Sequence, residues 1–224
     1  MGNYIITGAS RGIGFETTKE LCSKGHNVWA LSRKTDALTD LKSSNENWNL
    51  NIVQYDLSQP SEIEFPFEQL DGLINNAGLL INKPFLELSQ KDFQDVYQVN
   101  VFGVVSLIQR LVPYLTTSKG TVLNISSVGG VNGSSKFPGL SAYSSSKGAL
   151  ITLTECLAEE LNDKDISVNC LALGAVQTEM LEEAFPGYQA NTSPKEMGAY
   201  IADFVVNRSK LFNGKTISVA NSTP

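Results

Sequence analysis

Thr7-Gly8-Ala9-Ser10-Arg11-Gly12-Ile13-Gly14 is the stretch whose reading decides the fold. It follows the apolar run Tyr4-Ile5-Ile6. After it, Phe15, Leu21 and Cys22 recur among charged residues at helical spacing. A strand, a glycine turn and a helix form the context in which such a turn binds phosphate. Gly8 permits the tight turn, Gly12 lets the backbone approach a pyrophosphate, and Gly14 lets helix and strand pack closely. Ala9, Ser10, Arg11 and Ile13 complete a loop that ends at a helix N-terminus, where free N–H groups receive anions. The spacing differs from G-x-G-x-x-G. Gly8 to Gly12 also spells the G-x-S-x-G elbow of a serine hydrolase. That reading needs a histidine reached after an acid, and the sole histidine, His26, falls before the second strand.

Working outward, apolar runs at 28–31, 50–55, 72–74, 121–125, 168–173 and 216–219 read as further strands bounded by turn-forming residues. Helical patterns are expected at 36–43, 89–116, 141–162 and 194–207. Between Asp56 and Gly72, Pro60 and Pro66 leave room for about one helical turn. Strand and helix in alternation predict an α/β fold: one domain over 1–224, with a mostly parallel seven-stranded sheet covered by helices on both faces.

The 224 residues are 42% hydrophobic and 18% charged, the composition of a globular domain, with a formal net charge of −6. That charge argues against nucleic acid and anionic membrane as partners. The odd set Cys22, Cys156 and Cys170 has no C-x-x-C pair, so no disulfide framework or metal site is expected, and the three read as buried small apolar residues. No basic, apolar leader and no long apolar span are seen, which predicts a cytoplasmic protein.

The second strand ends Ala30-Leu31-Ser32-Arg33. An acid here would accept bonds from an adenosine ribose, whereas Ser32 and Arg33, helped by Arg11, suit a 2′-phosphate and favour NADP(H) over NAD(H). Farther on, Tyr143-Ser144-Ser145-Ser146-Lys147 admits two chemistries. It contains the S-x-x-K of serine acyl-enzymes, yet S-D-N and K-T-G elements are missing. It also sets a phenol one helical turn from an ammonium. At about 5 Å and an effective dielectric near 20, that ammonium favours phenolate by roughly 2 pKa units.

TGASRGIG, Asn75-Asn76-Ala77-Gly78 and the Tyr143 to Lys147 segment, in this order and spacing, resemble the short-chain dehydrogenase/reductase family over essentially the whole chain. The resemblance implies a Rossmann-type doubly wound domain. It implies Tyr143 as proton donor and acceptor, Lys147 lowering its pKa and bonding the nicotinamide ribose, and Ser127 orienting the substrate carbonyl. Ser127 is chosen over Ser126 because it precedes Val128-Gly129-Gly130 and adjacent strand residues face opposite ways. Asn100, at the helix kink, would hold a water linking Lys147 to solvent. Asp56 and Leu57 would meet the adenine, Asn76, Ala77 and Gly78 would line the cofactor, and Val176 and Thr178 would hold the nicotinamide amide. Ser144 to Ser146 read as spacers. A small-molecule carbonyl or alcohol, including 3-oxoacyl thioesters, is the implied substrate. A homodimer or homotetramer through the helices at 100–116 and 141–162 is the implied assembly. The rival is a non-catalytic NADP(H)-binding sensor or regulatory protein on the same fold.

Departures from the family pattern are also visible. Leu173 replaces a proline, predicting a less rigid loop beside the nicotinamide. Residues 132–139 form an extra loop bordering the substrate. The lid at 178–193 is short, and Glu179, Glu182 and Glu183 make it acidic. Ser218-Val219-Ala220-Asn221 lacks a glycine pair.

Overall fold

Side chains alternate along the first strand, so Tyr4 and Ile6 enter one core while Ile5 enters another, and all three are buried. The computed structural model describes residues 1–220. Its sheet comprises β1 (Asn3–Thr7), β2 (Asn27–Ser32), β3 (Leu50–Gln54), β4 (Gly72–Asn75), β5 (Thr121–Ser127), β6 (Ser167–Leu173) and β7 (Thr216–Val219). The order is β3-β2-β1-β4-β5-β6-β7, and every adjacent pair is parallel. All the expected strands are present, most of them slightly longer than read. Asn221 lies outside the described residues.

The helices are α1 (Gly12–Ser23), α2 (Asp36–Ser43), α3 (Gln90–Tyr97), α4 (Gly103–Ser118), α5 (Ser141–Glu160), α6 (Glu179–Ala184) and α7 (Pro194–Asp203). Leu21 of α1 and Met197 and Ile201 of α7 pack with Tyr4 and Ile6 on one face. Leu107 and Leu111 of α4 and Leu150 of α5 pack with Ile5 on the other. This is a Rossmann-type doubly wound domain. The chain leaves β1 in opposite directions toward β2 and β4, and the crevice at their carboxyl ends is the switch point where such sheets bind ligands.

Two expectations need correction here. Gln90 to Ser118 is, by length and composition, apolar enough to cross a membrane, although the sequence reading saw no such span. Its stripe of Val104, Leu107, Ile108, Leu111 and Leu115 is buried on the sheet. Cys22 and Cys170 are buried as expected, but Cys156 is exposed on α5. The proline-broken crossover after β3 holds no helix at all. Phe67 instead packs edge-on against Trp29, with centroids 4.6 Å apart, and against Tyr114 at 5.4 Å, so aromatic rings cover sheet that a helix would otherwise cover.

Candidate active site

A cleft of about 1110 Å³ opens over the carboxyl ends of the strands. One end is built by the glycine turn. Gly8 and Gly12 have φ of 67° and 55°, which side-chain-bearing residues rarely adopt. A Cβ at Gly14 would overlap the Gly8 carbonyl and the Asn76 amide. Thr7, to which the sequence reading gave no role, accepts hydrogen bonds at Oγ1 from the Asn76 and Ala77 N–H groups at 3.1 and 3.0 Å. Asn76 Nδ2 donates to the Thr7 carbonyl at 3.0 Å, so the β4 loop is tied to the turn. The first turn of α1 has no side-chain cap, which leaves its N–H donors for an anion.

Ala9 is buried beneath the turn, while Ser10 and Ile13 line the cleft. Ser32 Oγ donates to Ser10 Oγ at 2.7 Å, and Arg33 and Lys34 stand exposed at the rim. Lys34 was missed by the sequence reading, although it directly follows Arg33. Arg11 also lines this end, but its Nη1 pairs with Glu183 of α6 at 2.9 Å. Asp56 Oδ1 accepts from the Ser58 N–H and hydroxyl at 2.8 and 2.7 Å, and Leu57 is buried against Gly103. Bare helix donors and close-packed glycines together fit the pyrophosphate of a nicotinamide dinucleotide. Gly8 to Gly12, Ser32, Arg33 and the 76–78 loop would hold the dinucleotide.

At the other end, α5 and β5 converge. Lys147 is buried, and its Nζ donates to the Ile125 carbonyl at 2.8 Å while lying 5.7 Å from the centroid of the Tyr143 ring. Burial lowers the ammonium pKa to about 8. Tyr143 keeps part of its surface open to the cleft amid close-packed protein. Burial raises its phenol to about 12 against a smaller lowering by the Ser127 hydrogen bond. Desolvation here outweighs the lowering expected from Lys147. The ammonium sits over the ring face and is aimed at a backbone carbonyl, and desolvation of the phenolate dominates.

Ser126 is buried and donates to the Lys147 carbonyl at 2.9 Å, whereas Ser127 faces the cleft and its Oγ accepts from the Gly129 N–H at 3.2 Å. The serine expected to face the site does so. Asn100 sits in a π-helical turn, Gln98–Phe102, between α3 and α4. Its Oδ1 accepts from the Leu79 N–H at 2.7 Å, and its Nδ2 donates to the Leu79 carbonyl and to Ser146 Oγ at 3.0 and 2.9 Å. Both ends of its amide are thus engaged by protein, and it clasps the loop after β4 to α5. Ser146 is part of that clasp, which corrects its reading as a spacer.

Gly78 lies beside this group, since a Cβ there would stand 3.5 Å from Lys147 Nζ. Val176 is buried and bridges to Thr192. Thr178 caps α6 through the Leu181 N–H at 3.3 Å and packs on Gly12. Leu173 closes β6. It pairs with Ser127 on one side and Val219 on the other. His26, paired through Nδ1 with the Gly2 N–H at 3.2 Å, lies at the amino ends of the strands, which removes the hydrolase reading of Ser10. Among the described residues no cluster of metal-ligating side chains occurs.

The profile described as short chain dehydrogenase matches residues 3–189. A fatty acyl-CoA reductase of Acinetobacter baylyi is 32% identical over 219 aligned positions, covering 92% of this chain and 73% of the relative. A solved 4-hydroxyisoleucine dehydrogenase complexed with NADH is 26% identical, with a TM-score of 0.84 over 99% of this chain and 98% of that one. A solved short chain dehydrogenase from Escherichia coli CFT073, complexed with NADPH, is 29% identical, with a TM-score of 0.87 over 97% and 95%. With the family profile matching most of its length and the whole fold superposing on such enzymes, the chain belongs to the short-chain dehydrogenases, NAD(P)H-dependent oxidoreductases of carbonyl and alcohol substrates.

Proposed function

We propose that the protein is an NADP(H)-dependent carbonyl reductase in which Tyr143 protonates the substrate oxygen. The observation that carries this reading is the convergence of Ser127, Tyr143 and Lys147 on one wall of the cleft, with the glycine turn at its far end. The dinucleotide, when bound along that cleft, supplies the hydride for the carbonyl carbon. Tyr143 donates its phenolic proton to the oxygen that becomes the alcohol. A phenol held protonated up to about pH 12 is in the acid form needed for reduction at neutral pH. The Ser127 hydroxyl donates a hydrogen bond to the same oxygen and stabilises its developing charge. Lys147 fixes the geometry of β5 and α5 through Ile125, and Asn100 fixes the loop that faces it.

Arg33 supports preference for a 2′-phosphate because it stands exposed at the rim with Lys34 beside it. The exposed apolar surface of Phe85, Leu86 and Phe102 supports assembly of a homodimer or homotetramer through the long helices. The test is a screen of ketones, aldehydes, 3-oxoacyl thioesters, sugars and steroids by NADPH oxidation, in the parent and in Tyr143→Phe. The variant should lose at least about a thousandfold in kcat while still binding NADPH, the scale of losing a general acid. Undiminished turnover would reject the role. Tight NADPH binding with no turnover of any carbonyl by the parent would favour the non-catalytic sensor.

A further inference from the structure

Beyond Tyr143 the cleft changes character. Leu80, Phe137, Leu140, Met180, Leu181 and Phe185 line this end. The cations lining the cleft stand elsewhere: Arg11, Arg33 and Lys34 flank the glycine turn, and Lys147 is engaged by the Ile125 carbonyl. The two other lysines of the surrounding loops do not line the cleft. Lys83 pairs with Asp92 at 2.9 Å, and Lys136 donates to the Val131 carbonyl at 2.7 Å. The acids of α6 that line the cleft lie toward the glycine turn, Glu183 paired with Arg11 and Glu179 near Gly12. A carboxylate or phosphate entering here would lose its water without gaining a cation.

Three segments distant in sequence make this wall, and one side chain joins them. Asn82 Nδ2 donates to the Ala184 carbonyl at the end of α6 at 2.7 Å. Its Oδ1 fills the space that a side chain at Gly139 would need, where φ is 85°. The neighbouring Lys83 N–H donates to the Gly139 carbonyl at 3.1 Å. The extra loop and the lid are therefore braced against the loop after β4.

We propose that this chamber takes the uncharged, apolar arm of an alkyl or aryl ketone or aldehyde, and that Asn82 is a positioning residue that sets how long an arm is enclosed. The proposal rests on the oxidoreductase reading above. Each methylene buried in such a wall is worth about a three- to fourfold gain.

The experiment compares 2-alkanones from butanone to decanone with ketones of the same length that end in a carboxylate, using NADPH and the full chain. The expected result is kcat/KM rising about threefold per methylene until the arm is enclosed, with the carboxylated ketones lower by about tenfold or more. Phe185→Arg, which adds a cation to the wall, should reverse that order. Asn82→Ala should raise KM for the long ketones and flatten the chain-length slope while leaving kcat for butanone unchanged. Carboxylated ketones used as well as their neutral partners by the parent protein would overturn the proposal. A uniform loss across the series in Asn82→Ala would overturn the role of Asn82.

A binding arm keeps these failures separate from failure of the oxidoreductase reading. Long alkyl amides should protect the NADP(H)-bound protein against heat, and fatty carboxylates of equal length should not. Equal protection overturns the apolar chamber even if no carbonyl is ever reduced.

Discussion

The two ends of the cleft are stabilised in opposite ways. At the glycine turn, Thr7, Asn76 and the backbone of Gly8 satisfy one another, so the groups that shape the cofactor site also hold β1 to β4. At the Tyr143 end, burial works against the charge of Lys147, and only one backbone carbonyl compensates it. The contrast implies that the first end was shaped with the fold's stability, and the second at its expense.

The largest expected effect tests that cost. Because burial depresses the Lys147 pKa to about 8 from 10.5, the unfolded chain binds more protons between those values, and stability rises with pH across that window. Below pH 8 both states are protonated, and the penalty is constant. Relative to Lys147→Met, the parent should gain roughly 3 kcal/mol between pH 8 and 10.5, read from urea unfolding at several pH values. Tyr143, raised to about 12, loses its own contribution only as pH climbs past 10, and it does so in both proteins. Parallel stability curves through the window would show that the charge of Lys147 is not buried at a cost, and the contrast would collapse.

Gly14→Ala probes the other end. Its methyl would press on the Gly8 carbonyl and Asn76, so a loss of about 1–3 kcal/mol in stability is expected together with weakened dinucleotide binding. Full stability with binding lost would mean that the turn serves the ligand alone.

A smaller effect is expected at the rim. Arg33→Ala should weaken NADPH about tenfold in fluorescence titration and leave NADH unchanged, the scale of one charge-assisted contact. Arg11→Ala should cost less, because its guanidinium is already shared with Glu183. Equal losses for NADPH and NADH on Arg33→Ala would dismiss the 2′-phosphate preference.

How much could be read in advance differs between the same two ends. Thr7 to Gly14 is a local pattern on a strand–turn–helix unit, so its conformation follows from adjacent residues, and the structure agrees. Ser127 was distinguishable from Ser126 because strand alternation is itself local. Ser146 was not legible as a partner of Asn100, which lies 46 residues away. The bounds of the short helix α6 were not read either. Its six residues carry too little periodicity to stand out, and its start is fixed by the Thr178 cap.

The sequence by itself determined the alternation of strands and helices, the parallel sheet, the glycine turn and the spacing of Tyr143 and Lys147, because each is written in short-range pattern. Tertiary structure alone decided which way the Tyr143 pKa moves, where the ammonium points, that Arg11 meets Glu183, and that Asn82 braces the chamber wall. Desolvation and pairing depend on atoms brought in from distant parts of the chain, and no local pattern encodes how completely they surround a group.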